Sequence, residues 1–193
     1  MRNIFRQAKG QVIKLDEDGA GLPETAAQAA GALNLGQVAA FPTDTVYGLG
    51  CRADQPQAVK KIYRLKGRNF SKPLILFIKD PRELSQTTRQ IPDYARKLMN
   101  AYWPGPLTMV FPASDLVKKW GLDKNGTIGI RIPRHPALQI ILGQLDCPLA
   151  TTSANVSGAA VDGHLVVWSA ADGRVIFAGT SPGVDQVMFT PDG

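Results

Sequence analysis

Pro56-Gln57-Ala58-Val59-Lys60-Lys61-Ile62-Tyr63-Arg64-Leu65-Lys66-Gly67-Arg68-Asn69-Phe70-Ser71-Lys72-Pro73-Leu74-Ile75-Leu76-Phe77-Ile78 changes its hydrophobic period half-way. Val59, Ile62, Tyr63 and Leu65 give a helix an inner face, and Gly67 is a natural C-terminal stop. Asp54 suits the N-cap, Pro56 the first turn, and Gln57 the third position of a capping box. Leu74 to Ile78 is a continuous apolar run, the mark of a buried strand. Working outward, the alternation repeats. An alanine-rich helix is expected from Pro23 to Leu35, on Leu22, Ala26, Ala29, Ala30 and Leu33, with Gly36 ending it. Val38 to Phe41 reads as a strand, Pro92 to Trp103 as a helix, and Leu107 to Phe111 as a strand. Thr127 to Ile132 alternates cleanly, Pro136 to Leu145 is helical, and Pro148 to Thr152 is a strand. Strands alternating with helices predict an α/β domain with a largely buried sheet, whose ligands gather at strand ends.

The same stretch concentrates charge. From Gln55 to Lys79 the chain carries Lys60, Lys61, Arg64, Lys66, Arg68, Lys72 and Lys79 and no carboxylate, while the whole protein has a formal charge of +6. Crowded cations at an element boundary repel one another unless an anion joins them. A phosphate, of a nucleotide or of a nucleic-acid backbone, is the expected anion.

Length and composition set further bounds. The 193 residues, 44% apolar, fit a single domain with ample core. No run approaches the roughly 20 apolar residues of a membrane span, so no membrane partner is expected. Met1 to Gln7 lacks the apolar stretch of a signal peptide. Cys51 and Cys147 are isolated, which predicts a reduced, cytoplasmic protein. His135 and His164 are the only histidines, too few for a His-rich metal site.

Four more segments carry polar chemistry. Phe41-Pro42-Thr43-Asp44-Thr45-Val46-Tyr47-Gly48-Leu49-Gly50 sets two hydroxyls, a carboxylate and a phenol at a strand end, then two glycines that allow close approach; a self-capping turn is the plainer alternative. In Thr127-Ile128-Gly129-Ile130-Arg131-Ile132 the isoleucines share one face and Thr127, Gly129 and Arg131 the other. Gly129 would leave room there for a ligand, and Arg131 is either a bidentate anion clamp or an ordinary surface arginine. Thr151, Ser153 and Asn155, within Ala150-Thr151-Thr152-Ser153-Ala154-Asn155-Val156-Ser157-Gly158, share a side if extended. They suit hydrogen bonds to a nucleotide or amino acid, or a cap. Trp103-Pro104-Gly105-Pro106-Leu107-Thr108 reads as a purely structural connection. The chain has no G-x-x-x-x-G-K-[ST] phosphate loop and no spaced nucleophile triad.

In this order and spacing, these segments resemble the YrdC/TsaC family over roughly residues 26–158. Several features follow from the resemblance alone. The fold would be a YrdC-like twisted mixed sheet flanked by helices, enclosing a large, basic cavity. The activity would be that of an L-threonylcarbamoyladenylate synthase: L-threonine, bicarbonate or CO2, and ATP give threonylcarbamoyl-AMP and pyrophosphate. That product feeds a downstream threonylcarbamoyl transferase machinery modifying adenosine 37 of tRNAs reading ANN codons. Lys66, Arg68 and Lys72 fall at catalytic positions facing the ATP phosphates, and Thr127, Ser153 and Asn155 at nucleotide positions. Thr45, Arg131 and Thr151 fall where relatives hold threonine. Mg²⁺ would come with the nucleotide, and no protein metal site is expected.

The chain also departs from that pattern. A Ser-Thr pair that many relatives carry near the C-terminus is missing around Val184-Asp185-Gln186-Val187-Met188, and a downstream arginine that meets ATP in longer relatives has no counterpart before Gly193. Phe77 stands where some relatives have histidine. Residues 159–193 are divergent and β-rich. Asp162 to Ile176 resembles part of a WD-type propeller blade, and Phe189 to Gly193 the turn after one. Peripheral hairpins of one 1–193 domain are the preferred reading, since a lone blade cannot bury its faces. Two other functional classes compete: a non-catalytic binding module for tRNA or double-stranded RNA, and the related carbamoyltransferase domain of hydrogenase maturation.

Overall fold

The computed structural model describes residues 11–14, 22–67, 72–154, 164–168, 175–180 and 186–189. Strand β1 (Gln11–Lys14) precedes helix α1 (Leu22–Asn34), then β2 (Ala39–Phe41) and β3 (Gly48–Arg52). Helix α2 (Pro56–Leu65) leads to β4 (Ile75–Phe77), a short 3₁₀ turn, α3 (Leu84–Thr87) and α4 (Asp93–Tyr102). Next come β5 (Met109–Pro112), α5 (Asp115–Lys119), β6 (Thr127–Arg131), α6 (Pro136–Gly143) and β7 (Leu149–Ser153). Strands β8 (His164–Trp168), β9 (Val175–Thr180) and β10 (Gln186–Phe189) follow.

Eight strands form one mixed sheet in the order β1-β10-β2-β3-β7-β4-β6-β5. Only β4 and β6 run parallel; the other neighbours are antiparallel. Strand β7 is central, with Thr151 opposite Gly50 on one side and Ile75 on the other. The segment compared with a propeller blade forms a separate hairpin, β8–β9, with an irregularity at Val167/Trp168. Strand β10 instead joins the main sheet between β1 and β2. Residues 190–193, compared with a blade turn, lie outside the described residues.

The alternation of each strand divides two cores. On one face Leu76, Ile130, Ala150, Leu49 and Cys51 pack with the buried sides of α2 and α4. On the other, Phe77, Leu149, Phe41 and Ala39 pack beneath α1 and α6. The alanines of α1 suit that role, because small side chains let α1 lie close to α6 and the sheet.

Two local expectations change. Residue Gln55, not Asp54, is the N-cap of α2, and it makes no side-chain cap bond. The Asp54 carboxylate is drawn away by Arg52, a charge-assisted pair stronger than a neutral cap bond. The second change concerns Gly48 and Gly50, which lie inside β3. A Cβ on Gly48 would meet Phe41 Cε2 at 2.6 Å, and one on Gly50 would meet Phe41 Cζ and Thr151 Cγ2 at 2.9 Å. The space these glycines free is filled by an aromatic ring of the neighbouring strand, and not by a ligand.

Gly50→Ala should therefore destabilise the domain by about 1–3 kcal/mol, the usual cost of overpacking. Combining it with Phe41→Leu should recover part of that loss. Urea denaturation of both variants measures it, and additive losses would contradict the packing account.

Candidate active site at the strand ends

Arg131 ends β6 on the side-chain row of Thr127 and Gly129, yet it is only 6% exposed. A buried guanidinium needs partners for its N–H groups, and the structure supplies three. Its Nε donates to the Gly105 carbonyl at 2.8 Å, its Nη1 to Thr45 Oγ1 at 3.0 Å, and its Nη2 to Asp44 Oδ1 at 2.5 Å. The guanidinium carbon lies 5.7 Å from the centroid of the Phe77 ring, within cation–π range. This is an anchored cation and not a surface arginine.

The partners come from two loops. In the β2–β3 loop, Thr43 Oγ1 accepts from the backbone N–H groups of Thr45 and Val46 and donates to the Val46 carbonyl at 2.6 Å. The Thr43 and Thr45 hydroxyls lie 3.0 Å apart, within hydrogen-bond distance of each other. Thr45 Oγ1 also accepts from Arg131 Nη1. The self-capping turn is also the turn that carries the hydroxyl met by Arg131. The second loop is Trp103 to Thr108, expected to be only a connection. There Gly105 N–H donates to the Ile132 carbonyl and Trp103 Nε1 to the Leu107 carbonyl, which fixes the carbonyl that receives Arg131. A Cβ on Gly105 would sit 2.4 Å from the Tyr102 carbonyl oxygen, so only glycine fits.

Lys66 occupies the C-cap of α2 and is 4% exposed. Its Nζ donates to Thr152 Oγ1 at 3.3 Å and, at closer range, to the Ser153 carbonyl. Gly67 follows at φ +53°, a conformation that glycine adopts without strain. Helix α2 and strand β7 are thereby tied through a lysine that sequence reading assigned to an anion. Lys72 is exposed, and its carbonyl accepts from Tyr63 Oη at 3.2 Å. Arg68 and Asn155 lie outside the described residues.

The strand register sorts the remaining candidates. Gly129, Ile75 and Thr151 form one cross-strand row. Arg131 lies two residues to one side of it, and Thr127 and Ser153 two residues to the other. The residues expected at threonine, Arg131 and Thr45, are in direct contact, while Lys66 reaches the β7 end that carries Ser153. Thr151 is buried, and Thr127 Oγ1 donates to the Lys124 carbonyl at 2.7 Å. Across Gly129 the room is shared with Ile75 Cγ2, 2.9 Å from a built Cβ. Val110, on the same row, is 67% exposed, so among the described residues this part of the sheet face is uncovered where α1 and α6 cover its other part.

Sequence reading assigned no role to Asp44 beyond its turn, nor any to Gly105. Their signal was present only as a carboxylate and a glycine in separate loops. A second ionic cluster stood out even less. Arg52 holds Asp54 through two bonds of 3.0 and 2.7 Å and reaches Asp146 at 2.7 Å and Asn34 Oδ1 at 2.5 Å. Cys147 Sγ approaches Asp54 Oδ1 at 3.3 Å. Burial and the nearby carboxylate push the Cys147 thiol up to about 12, and burial pushes Cys51 higher still. Both cysteines are poor thiolates, and this end of the sheet is a structural staple.

An α/β domain with cations anchored at its strand ends has the architecture in which ligand sites commonly form at those ends. The chain belongs to the Sua5/YciO/YrdC family, whose model, described as telomere recombination, matches residues 31–163. It is 43% identical over 133 residues to a threonylcarbamoyl-AMP synthase of Bacillus subtilis, covering 68% of this chain and 38% of that one. It is 38% identical over 133 residues to the synthase of Vibrio campbellii, covering 66% of this chain and 70% of that one. Among solved structures, Pyrococcus abyssi Sua5 complexed with L-threonine superimposes with a TM-score of 0.67 at 37% identity, covering 74% of this chain and 42% of that one. Escherichia coli YciO superimposes with a TM-score of 0.65 at 28% identity, covering 74% and 68%. The chain spans about two-fifths of the Bacillus relative's length.

Arg52 holds the Asp54 carboxyl below its ordinary range. The stability this contributes is present above the unfolded carboxylate value, near about 3.9, and is lost as pH falls through the folded value. Asp54→Asn should lower Tm at neutral pH and flatten the acid limb, the two melting curves converging in acid. Thermal melts across the acid range measure this, and parallel curves would contradict it.

Proposed function

We propose that this domain condenses L-threonine, bicarbonate or CO2, and ATP into L-threonylcarbamoyl-AMP with release of pyrophosphate, as a nucleotidyltransferase serving tRNA modification. The observation that carries the reading is the direct contact of Arg131 with Thr45, two threonine candidates 86 residues apart in sequence. It is supported by the synthase names of relatives and by the threonine complex of the Pyrococcus Sua5. In this reading Arg131 receives the threonine carboxylate with N–H groups beyond the three it already uses. Thr45 and Thr151 border the amino acid, and Ser153, Asn155 and Thr127 border the nucleotide. The bare sheet face is the floor of a basic cavity.

Threonine carbamate is already a nucleophile, so the protein needs no serine or cysteine nucleophile. Its task is to align a carbamate oxygen with the α-phosphorus and to offset charge on departing pyrophosphate. Lys66, Arg68 and Lys72 provide that charge. Lys66 is held in place by β7, and Lys72 is open to solvent. Mg²⁺, where it takes part, is held mainly by the nucleotide's phosphates. The product would pass to a transferase acting on tRNA in the cytoplasm.

The test is purified protein with ATP, bicarbonate and labelled threonine, scored for threonylcarbamoyl-AMP, with threonine omitted as control. Arg68→Ala should lower the rate by about 10²–10³-fold, the cost of one transition-state donor, with the fold unchanged by circular dichroism. Full activity in that variant would remove Arg68 from the mechanism. If instead the protein only bound RNA, affinity would fall steeply with salt and ignore threonine.

A further inference from the structure

Arg131 and Asp44 form a nearly buried ion pair, their side chains 8% and 14% exposed. The charge of the guanidinium is therefore balanced before any ligand arrives. A bare cation would attract any anion, and most strongly one of net negative charge. A neutral cation–carboxylate pair behaves differently: it presents a local dipole, and a ligand gains most when it is itself a dipole of opposite sense. An α-amino acid zwitterion is such a ligand, and a simple hydroxy acid is not. The position of Asp44 enforces this. Its Oδ1 is bound to Arg131 Nη2, while Thr45, the next residue, takes Nη1. The Asp44 backbone lies in a loop closed by four hydrogen bonds of Thr43, and its carboxylate is held by the pair with Arg131. Among the described residues Asp44 Oδ2 makes no hydrogen bond, so it remains available to a positive group.

Resting on the threonine reading above, we propose that Asp44 is a positioning and specificity-determining residue. It orients Arg131 and makes the amino-acid site prefer a zwitterion over the corresponding anion. The Coulomb terms support a measurable effect. Unit charges a few ångströms apart near a protein surface attract strongly enough to shift a binding equilibrium by about tenfold or more. Removing the carboxylate should then change the zwitterion-to-anion affinity ratio by about tenfold or more.

The experiment is calorimetric titration of the full chain with L-threonine and with its des-amino analogue, the R enantiomer of β-hydroxybutyrate. The wild-type protein should bind threonine and discriminate strongly against the analogue. Asp44→Asn and Asp44→Ser should narrow that ratio at least about tenfold, with the anion gaining relative to the zwitterion. Asp44→Glu, which keeps the charge and risks the fold least, should retain the preference. Circular dichroism and thermal melts verify that each variant is folded. A role confined to folding would weaken both ligands alike and leave the ratio unchanged, which would overturn the proposal. Loss of the preference in Asp44→Glu would overturn it too, even if neither neutral variant folds. A wild-type protein that binds no threonine would overturn the threonine reading itself, a separate outcome.

Discussion

Burying the Arg131 guanidinium is the constraint around which the site is built. An arginine in the interior is tolerated only when its N–H groups and its charge are met, and each partner must be held by something else. Gly105 is held by the bond its N–H donates to the Ile132 carbonyl and by the lack of room for any other residue. Thr45 and Asp44 are held by the Thr43 turn. Phe77 lies under the cation because β4 and β6 run parallel with Phe77 opposite Arg131. Removing one partner of such a pair typically costs about 3–5 kcal/mol, because the other charge stays buried. Two loops and two strands are thus fixed relative to one another by a single side chain.

Strand β7 performs the matching task at the other end. It pairs with β3 and β4 at once, and its Thr152 and Ser153 receive Lys66 from α2. The lysine is the C-cap of α2, so its anchor on β7 also fixes where that helix ends. Structure and charge are not separate layers here. Among the cations of the basic stretch, Lys66 is fixed by its bonds to β7, whereas Lys72 is exposed.

Much of the fold was legible because periodicity reports burial directly. The helices at Leu22–Asn34, Pro56–Leu65, Asp93–Tyr102 and Pro136–Gly143 lie within a residue or two of the expected bounds. Strand β3 was not expected because Gly48 and Gly50 read as room for close approach; they are required by the ring of Phe41 on the adjacent strand, a reason invisible along the chain. The cap of α2 was misplaced for a similar reason. Asp54 has the right chemistry for a cap, but Arg52 and Cys147 compete for it, and Cys147 is 93 residues away. In the site, Arg131, Thr45 and Lys66 were picked out as residue types in suggestive segments, whereas Asp44 and Gly105 acquire meaning only from what they touch.

The sequence by itself determined the α/β alternation, the carboxylate-free basic stretch and the set of motifs that marks the family, because each depends on local order and spacing. Tertiary structure alone decided which of those charges are buried and what neutralises them. Arg131 and Lys66 look alike on paper as spare cations. Pairing across 87 residues in each case makes one the centre of a neutral ion pair and the other a strut between helix and sheet. Such contacts follow from strand register and loop return, which no stretch of adjacent residues encodes.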